Sequence, residues 1–359
     1  MKVKNPTRHH FQYLIEMKET ERKWHFPVLA ALCIGSCLLI GWLLGKPHYG
    51  SQASVGALTI LYFTLAPIAQ RMIHLAVCAF GMVFSFSVCL FFSFNIYFAI
   101  LSFGFVSFLA HFVTSYFKIP PPGNFFFIMS ASMATNFHFD LEMIPTRVGL
   151  VAMGASLSCT LAFLYSLFIA KTAITSPPRR SFNKEQYARG VESTIIGFFM
   201  MLTLVIGHLL KFQNTYWISI AAVGVIQGRN FEHVRQRNTH RILGTFIGVG
   251  LTWIILLFLS QAIELILIIT ILQFIIEMLI VRNYGFAVVF ITPLTILLAE
   301  AGSEVPHDIT ALMEARLLDT VIGSLIGLAT GFFLYHQKII NNVEKNIRYS
   351  YFRIRKLKK

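Results

Sequence analysis

Four times along this chain, a basic residue is followed seven positions later by glycine, at the start of an apolar run of membrane-spanning length. On three of the four helical faces that begin in this way, every residue after the basic one is small or hydroxylated. Such faces let membrane helices approach one another closely. The sequence therefore predicts one helical module that is used four times within a membrane. The four pairs are His74 and Gly81, Arg147 and Gly154, Arg241 and Gly248, and Arg316 and Gly323.

We expect the small residues of these modules to form helix contacts at the centre of the fold. A leucine at Gly248 or Gly323 should then impair assembly, whereas an alanine at Gly248 should be milder. The predicted contact residues are Gly81, Gly154, Gly244, Thr245, Gly248, Thr320, Gly323 and Gly327.

The composition agrees with a membrane location. Hydrophobic residues make up 56% of the 359, the mean hydropathy is +0.67, and only 13% are charged, about half the fraction typical of soluble domains. We predict an all-α polytopic membrane protein with about twelve transmembrane helices. The predicted spans are 27–45, 52–69, 72–93, 95–117, 123–139, 148–170, 191–210, 215–228, 241–260, 262–281, 284–300 and 317–336.

Three of these spans, 123–139, 215–228 and 284–300, are expected to be short. The last of them contains Pro293, which removes one helical hydrogen bond and is expected to kink the helix. A nearby threonine can donate to the carbonyl that the proline leaves free.

The net charge of +14 marks the orientation of the chain in the membrane and not a nucleic-acid partner. With the N-terminus in the cytoplasm, 26 of the 30 lysines and arginines lie on the inner side. The distribution therefore predicts a multi-pass protein of the cell (inner, cytoplasmic) membrane with both termini in the cytoplasm. Membrane lipids with anionic headgroups are the expected contacts of its basic loops.

The chain also repeats itself at about 167–169 residues, so we predict two six-helix halves related by an axis along the membrane normal. The basic-to-glycine module recurs within each half, which suggests nested 3+3 inverted repeats. The expected parts are a cytoplasmic N-terminal segment 1–26, a first repeat 27–170, a cytoplasmic linker 171–190, a second repeat 191–336 and a basic cytoplasmic tail 337–359.

Sequence motifs for catalysis are absent. The chain has no phosphate-binding loop, no H-E-x-x-H or G-x-S-x-G sequence, and no cluster of ligands for a metal ion. We expect no enzymatic activity, no catalytic residue, no cofactor and no metal. Uphill transport would then require an ion gradient or another subunit, and a homo-oligomer or an accessory envelope subunit remains open.

The second half resembles the fusaric-acid-resistance and aromatic-acid-exporter family of membrane proteins. The resemblance rests on R-I-L-G-T-F-I-G from Arg241, F-I-T-P ending at Pro293, and R-L-L-D-T-V-I-G from Arg316, and it covers 190–336. It implies efflux of small organic anions, often aromatic, without fixing the substrate. An anion channel built on the same repeats, or a non-transporting membrane scaffold for an envelope enzyme, is the alternative.

Six residues are candidates for a substrate or ion path. Arg241 and Arg316 begin helices near opposite membrane faces, where each either binds an organic carboxylate or anchors its helix at the interface. Asp319 either pairs with Arg316 or exchanges protons. Glu277 either carries a coupling proton or is neutralised by Arg282. The other two candidates are Gln227, at the end of the eighth span, and Thr292.

Overall fold

The structure, a computed structural model, describes residues 17–20, 22–169, 186–212, 214–259, 261–302 and 309–336. These residues form twelve α-helices and two short 3₁₀ segments, Leu58–Tyr62 and Phe92–Phe94, with no strand among them. The all-α fold class is confirmed. The helices are α1 His25–Leu43, α2 Pro47–Ala57, α3 Ile68–Phe91, α4 Ile96–Tyr116, α5 Phe125–Ala134, α6 Ile144–Ile169, α7 Gln186–Leu209, α8 Tyr216–Ile226, α9 Phe231–Leu257, α10 Ala262–Leu279, α11 Tyr284–Ala301 and α12 Ile309–Tyr335.

Nine helices of the described residues are long and apolar enough to cross a membrane. Large hydrophobic side chains such as Phe80, Phe105 and Phe168 project outward from them. An apolar surface of this extent is stable against lipid and not against water. The chain is therefore a membrane protein with multiple apolar helices. The remaining three, α2, α5 and α8, have only 11, 10 and 11 residues.

Several of the predicted spans differ from the structure in their bounds. Arg241 and Arg316 do not begin their helices as expected, because α9 already begins at Phe231 and α12 at Ile309. The expected second span, 52–69, contains the end of α2, the 3₁₀ segment Leu58–Tyr62 and the loop before α3. A regular bilayer-length helix is not needed here, because the small residues of α2 pack against protein and not against lipid. The span expected to be short at 284–300 is α11, whose 18 residues meet the length for crossing.

Pro293 lies inside α11, where a proline leaves the carbonyl four residues earlier, that of Val289, without its helical partner. The hydroxyl of Thr292 donates to Val288 O at 3.0 Å and not to that carbonyl. Thr295 Oγ1 donates to Thr292 O at 2.9 Å, so neither threonine beside the proline bonds the carbonyl as expected. The Val289 oxygen instead faces Gly248 of α9, where an added Cβ would lie 2.6 Å from it.

Polar caps fix the starts of three of the helices. Asn95 Oδ1 accepts from Tyr97 N at 2.9 Å at the start of α4. At α10, Gln261 N donates to the Glu264 carboxylate at 2.9 Å in a capping box. Asn283 caps α11 by accepting from the backbone of its first turn. Each cap satisfies amides that have no partner within the helix.

The chain forms two compact units. Unit 1 comprises Met1–Phe84, Asp140–Ser176 and Gln236–Ile322; unit 2 comprises Ser85–Phe139, Pro177–Arg235 and Gly323–Lys359. Each unit contains segments from both of the predicted halves. The boundary between the two units therefore does not coincide with the linker 171–190, which separates the halves. That linker and the basic tail lie largely outside the described residues.

In unit 1, α2 and α6 pack with their backbones in contact. Gly154 of α6 faces the carbonyl oxygen of Ala53, and an added Cβ there would overlap that oxygen. One turn later, Ser158 Oγ donates to Ala57 O at 2.6 Å. Gly56 of α2 faces α6 in the same way. Close approach of this kind requires small residues on both helices.

In unit 2, α8 and α12 repeat this pattern of contacts. Gly323 of α12 faces the carbonyl oxygen of Ile218, and Gly327 faces that of Ala222, 2.7 Å from an added Cβ. In both helix pairs, small residues four positions apart on the long helix therefore contact carbonyls four positions apart on the short helix. Of the other predicted contact residues, Thr245 and Thr320 are buried and Gly81 is half-buried.

In unit 1, α9 meets α11 through the glycines that follow Arg241. An added Cβ on Gly244 would lie 2.9 Å from the side chain of Val288, and one on Gly248 would lie 2.6 Å from Thr292 Cβ. Arg241 lies one turn before Gly244 on the same face, so this contact directs it toward the start of α11.

Candidate functional site

Arg241 is a buried arginine with unused hydrogen-bond donors. Arg241 is only 2% exposed, and its Nη1 donates to Tyr284 Oη at 3.4 Å. Neither Nε nor Nη2 has a hydrogen-bond partner among the described residues. Buried donors without partners are costly, more so on a charged group. The Nε and Nη2 donors of this guanidinium are therefore available to bind an anionic group.

Further basic side chains surround the same tyrosine. The guanidinium of Arg237, one turn before Arg241, lies 3.7 Å from the centroid of the Tyr284 ring. The His240 ring lies 6.5 Å from that of Tyr284, and both Arg237 and Lys18 act on it electrostatically. We call these five residues, Lys18, Arg237, His240, Arg241 and Tyr284, the basic cluster.

The start of α11 adds to the positive potential of the basic cluster. Asn283 Oδ1 accepts from Gly285 N at 2.8 Å and from Phe286 N at 3.2 Å, so α11 begins beside Tyr284. Just before it, Lys18 N donates to Arg282 O at 3.1 Å, which attaches the segment before α1 to this loop. The partial positive charge of a helix N-terminus favours anions, as do the side chains of the cluster.

Glu277 of α10 is paired with a residue that the sequence did not suggest. Its Oε2 lies 3.0 Å from Arg22 Nη1, and Gln273 Nε2 donates to its Oε1 at 3.3 Å. The partner is therefore Arg22, not the Arg282 suggested by spacing. Burial lowers the pKa of Arg22, and the nearby Glu277 carboxylate partly offsets this. The Arg22 guanidinium also lies 4.0 Å from the centroid of the Phe26 ring.

Arg316 and Asp319 lie on α12, whereas the basic cluster draws its residues from α9, α11 and the segment before α1. Both are buried, and Asp319 is fully so. Neither carboxylate oxygen of Asp319 accepts a hydrogen bond from a described residue, although Arg316, one turn earlier, acts on it electrostatically. Asp319 is thus a buried acidic group whose hydrogen-bonding capacity is unused in the part of the chain described.

Arg71, which is not among the six candidates, is a third buried arginine besides Arg241 and Arg316. Nη1 donates to Ser166 Oγ and Nη2 to Ala66 O, both at 2.8 Å, and the guanidinium lies 4.5 Å from the Phe63 ring centroid. These contacts tie the start of α3 to α6 and to the preceding loop. The position of Arg71 four residues after Pro67, inside the first turn of a helix, was the available signal.

The last two candidates lie elsewhere. Thr292 packs against Gly248 in the contact between α9 and α11. Gln227 follows α8 in unit 2, where its Nε2 donates to Asn124 Oδ1 at 2.8 Å. The structure thus joins Arg241 and Thr292 along one helix contact and sets Gln227 in a different polar environment.

The fold and the site together define the class of this protein: it is an all-helical membrane protein with a buried basic cluster. Residues 202–330 match the family model of fusaric acid resistance protein-like proteins. The resemblance predicted from the sequence motifs is confirmed over this segment, which contains Arg241, Tyr284 and Arg316.

Two curated relatives match this chain over parts of their length. The uncharacterized membrane protein YvaC of Bacillus subtilis (strain 168) is 36% identical over 129 residues, which are 35% of this chain and 20% of that protein. The uncharacterized protein slr1298 of Synechocystis sp. is 33% identical over 158 residues, 44% of this chain and 20% of that protein. The aligned region is thus about a fifth of the length of each relative. No solved structure gives a significant match.

Proposed function

We propose that this protein exports small organic anions, often aromatic ones, from the cytoplasm, and that the basic cluster is where the anion is recognised. The observation that carries the proposal is the buried Arg241 guanidinium, whose Nε and Nη2 have no partner among the described residues. It lies in the segment that matches the fusaric acid resistance protein-like family, for which membrane efflux is the expected activity.

The cluster contains the groups that an aromatic carboxylate would need. A guanidinium binds both oxygens of a carboxylate through two parallel hydrogen bonds. The Coulomb attraction of an ion pair at 4 Å is roughly 4 kcal/mol at an effective dielectric constant of about 20, and desolvation of the two charges offsets part of it. Arg237 and Lys18 add positive charge, and Tyr284 supplies a ring and a hydroxyl.

Replacement of Arg241 tests this recognition directly. We expect Arg241→Gln to reduce efflux of benzoate from reconstituted vesicles by about 10- to 100-fold, since a hydrogen bond to a charged group contributes about 1.5–3 kcal/mol. Arg241→Lys should restore only part of the flux, because an ammonium lacks the guanidinium fork. The matched control is Arg235→Gln in the same helix, an exposed arginine that pairs with Glu232 at 2.8 Å. Full flux in Arg241→Gln at normal abundance would contradict the proposal.

The same vesicles separate the exporter from its alternatives. An exporter accumulates benzoate against its concentration gradient when a proton gradient is imposed. An anion channel only equilibrates it, and a membrane scaffold moves none. Accumulation that is lost when the proton gradient is dissipated therefore supports coupled efflux. Equilibration without accumulation would instead indicate a channel, and no movement of benzoate would indicate a scaffold.

We also propose that all twelve helices enter the membrane in two six-helix repeats and that both termini are cytoplasmic. The positive-inside distribution supports this orientation. The recurrence of the α2–α6 contacts in α8–α12 supports the repeat. In this orientation the basic cluster lies at the cytoplasmic face, where an exporter collects its substrate.

Cysteine labelling tests the orientation at positions outside the described residues. We expect cysteines at Ser181 and Asn341 to resist a membrane-impermeant thiol reagent in intact cells, and one at Ser303 to react. Background should be low, because four of the five native cysteines are buried. Labelling at Ser181 in intact cells would reverse the proposed orientation.

A further inference from the structure

Asp319 lies deeper along α12 than the sequence suggested. The helix begins at Ile309, ten residues earlier, so Asp319 is about 15 Å from the start of a helix that is about 40 Å long. Nearly all of this helix, from Thr310 to Tyr335, is apolar enough to cross a membrane. Ionisable side chains at such positions are costly to bury and commonly belong to ion or proton pathways.

The carboxyl group of Asp319 is fully buried and accepts no hydrogen bond from any described residue. Arg316, one turn earlier, acts on it electrostatically without bonding to either oxygen. Glu277, the other buried candidate carboxylate, is bonded by both Arg22 and Gln273. A carboxyl group that only stabilised helix packing would be expected to have such partners, because burying a charge without them is costly.

The next side chain, that of Thr320, is a second buried polar group whose hydroxyl has no hydrogen-bond partner among the residues described. Helical threonine hydroxyls commonly donate to the carbonyl four residues earlier. Three other buried threonines of this protein do so, Thr252, Thr292 and Thr330. One turn of α12 therefore contains an unused carboxyl group and an unused hydroxyl group, both of which can accept and pass on a proton.

A change in the protonation of Asp319 disturbs few neighbours. Arg316 is the charged group that acts on it within the described part of the chain. Gly323, four residues later on the same face, packs against α8, whose 11 residues include no charged one. Protonation of Glu277 would instead break its pairing with Arg22. Of the two carboxyl groups, Asp319 is therefore the one that can gain and lose a proton without breaking a hydrogen bond in the structure.

We propose that Asp319 binds the coupling proton of this transporter. The proposal rests on the export function proposed above and identifies the group that links export of the anion to the proton gradient. In each cycle the carboxylate takes up one proton from the outer side, which forms an O–H bond. That bond breaks when the proton is released to the cytoplasm, in exchange for the anion that leaves. No electron is transferred, and no further reactant is consumed.

Exchange and accumulation of benzoate in reconstituted vesicles separate coupling from recognition. Exchange of labelled for unlabelled benzoate at equal pH requires anion binding but no net proton transfer, whereas accumulation requires both. We expect Asp319→Asn to retain exchange and to lose accumulation, and Asp319→Glu, which keeps a carboxyl group, to regain part of the accumulation. Glu314→Gln, at an exposed carboxylate of the same helix, is the control that should retain both. Arg241→Gln should reduce both, because it weakens recognition of the anion.

Proton release on anion binding gives a second readout, which does not depend on vesicles. Benzoate added at matched pH to the purified wild-type chain, in weakly buffered detergent solution, should release protons that a pH-sensitive dye detects. An exchanger releases the proton when the anion binds, because the two are carried in alternate halves of the cycle. The release should be absent in Asp319→Asn and normal in Glu314→Gln.

Three results would overturn the assignment of the proton to Asp319. They are accumulation that persists in Asp319→Asn, loss of exchange in that variant while it remains monodisperse, and a wild-type protein that binds benzoate without releasing protons. The wild-type measurement decides the matter even if Asp319→Asn does not fold. Failure of the proposed export function has a different signature, because wild-type vesicles would then not accumulate benzoate at all.

Discussion

Replacing Gly154 with alanine is expected to destabilise the protein strongly, whereas the same change at Gly149 in the same helix is not. A Cβ at Gly154 would overlap the carbonyl oxygen of Ala53, and backbone cannot move aside as a flexible side chain can. Overpacking typically costs about 1–3 kcal/mol and occasionally more. Separating α2 from α6 would also weaken the bond from Ser158 to Ala57 O.

The control position tests the explanation. A Cβ at Gly149 would meet no atom within 4 Å, so alanine there should be neutral or stabilise the helix by up to about 1 kcal/mol. Thermal melts in detergent, read by the fraction that remains monodisperse, compare the two variants. If Gly154→Ala and Gly149→Ala have the same melting temperature, the close contact between α2 and α6 does not exist as described.

The same reasoning corrects an expectation for α9. From the sequence, Gly248→Ala was expected to be mild, but its Cβ would lie 2.6 Å from Val289 O and from Thr292 Cβ. We therefore expect alanine to be disruptive here as well, with Gly250, which has no atom within 4 Å of an added Cβ, as the matched control.

Arg22→Gln is expected to cost about 3–5 kcal/mol, because it leaves the Glu277 carboxylate buried without its partner. The side chain of Glu277 is only 5% exposed, whereas that of Arg22 is 24% exposed. The reverse change, Glu277→Gln, should therefore be milder, since the guanidinium it leaves behind still reaches water and the Phe26 ring.

The double variant completes the cycle. Arg22→Gln with Glu277→Gln should recover most of the stability lost in Arg22→Gln alone, which is the signature of a coupled pair. Chemical or thermal unfolding of the three variants in detergent gives the coupling. If the two losses simply add, Arg22 stabilises the protein through Phe26 and not through the carboxylate.

The sequence predicted the helices well because apolar runs and their polar breaks are local signals. It also predicted which face of α6, α9 and α12 carries small residues, since that depends only on helical spacing. Arg241 was identified because it opens such a face.

Contacts between residues distant in the chain could not be predicted from the sequence. Nothing in the polar segment around Arg22 indicates that it meets Glu277, because the pairing depends on how α1 packs on α10. Whether Arg241 or Arg71 has partners for its donors is likewise decided by neighbours distant in sequence, Tyr284 in one case and Ser166 in the other. Even the two threonines beside Pro293 donate to carbonyls other than the one expected, because local geometry decides which oxygen each hydroxyl reaches.

The contact between α2 and α6 also sets an order of events on the ribosome. Ala57 and Ser158 are 101 residues apart, so at roughly 5–20 residues per second the partner of α2 is synthesised about 5–20 seconds later. During that interval α2 can pack against α1, through the contact of Gly50 with Gly41, but its surface at Ala53 and Gly56 has not yet met α6. The contact between α2 and α6 therefore forms late in synthesis, and the same delay separates α8 from its contact with α12.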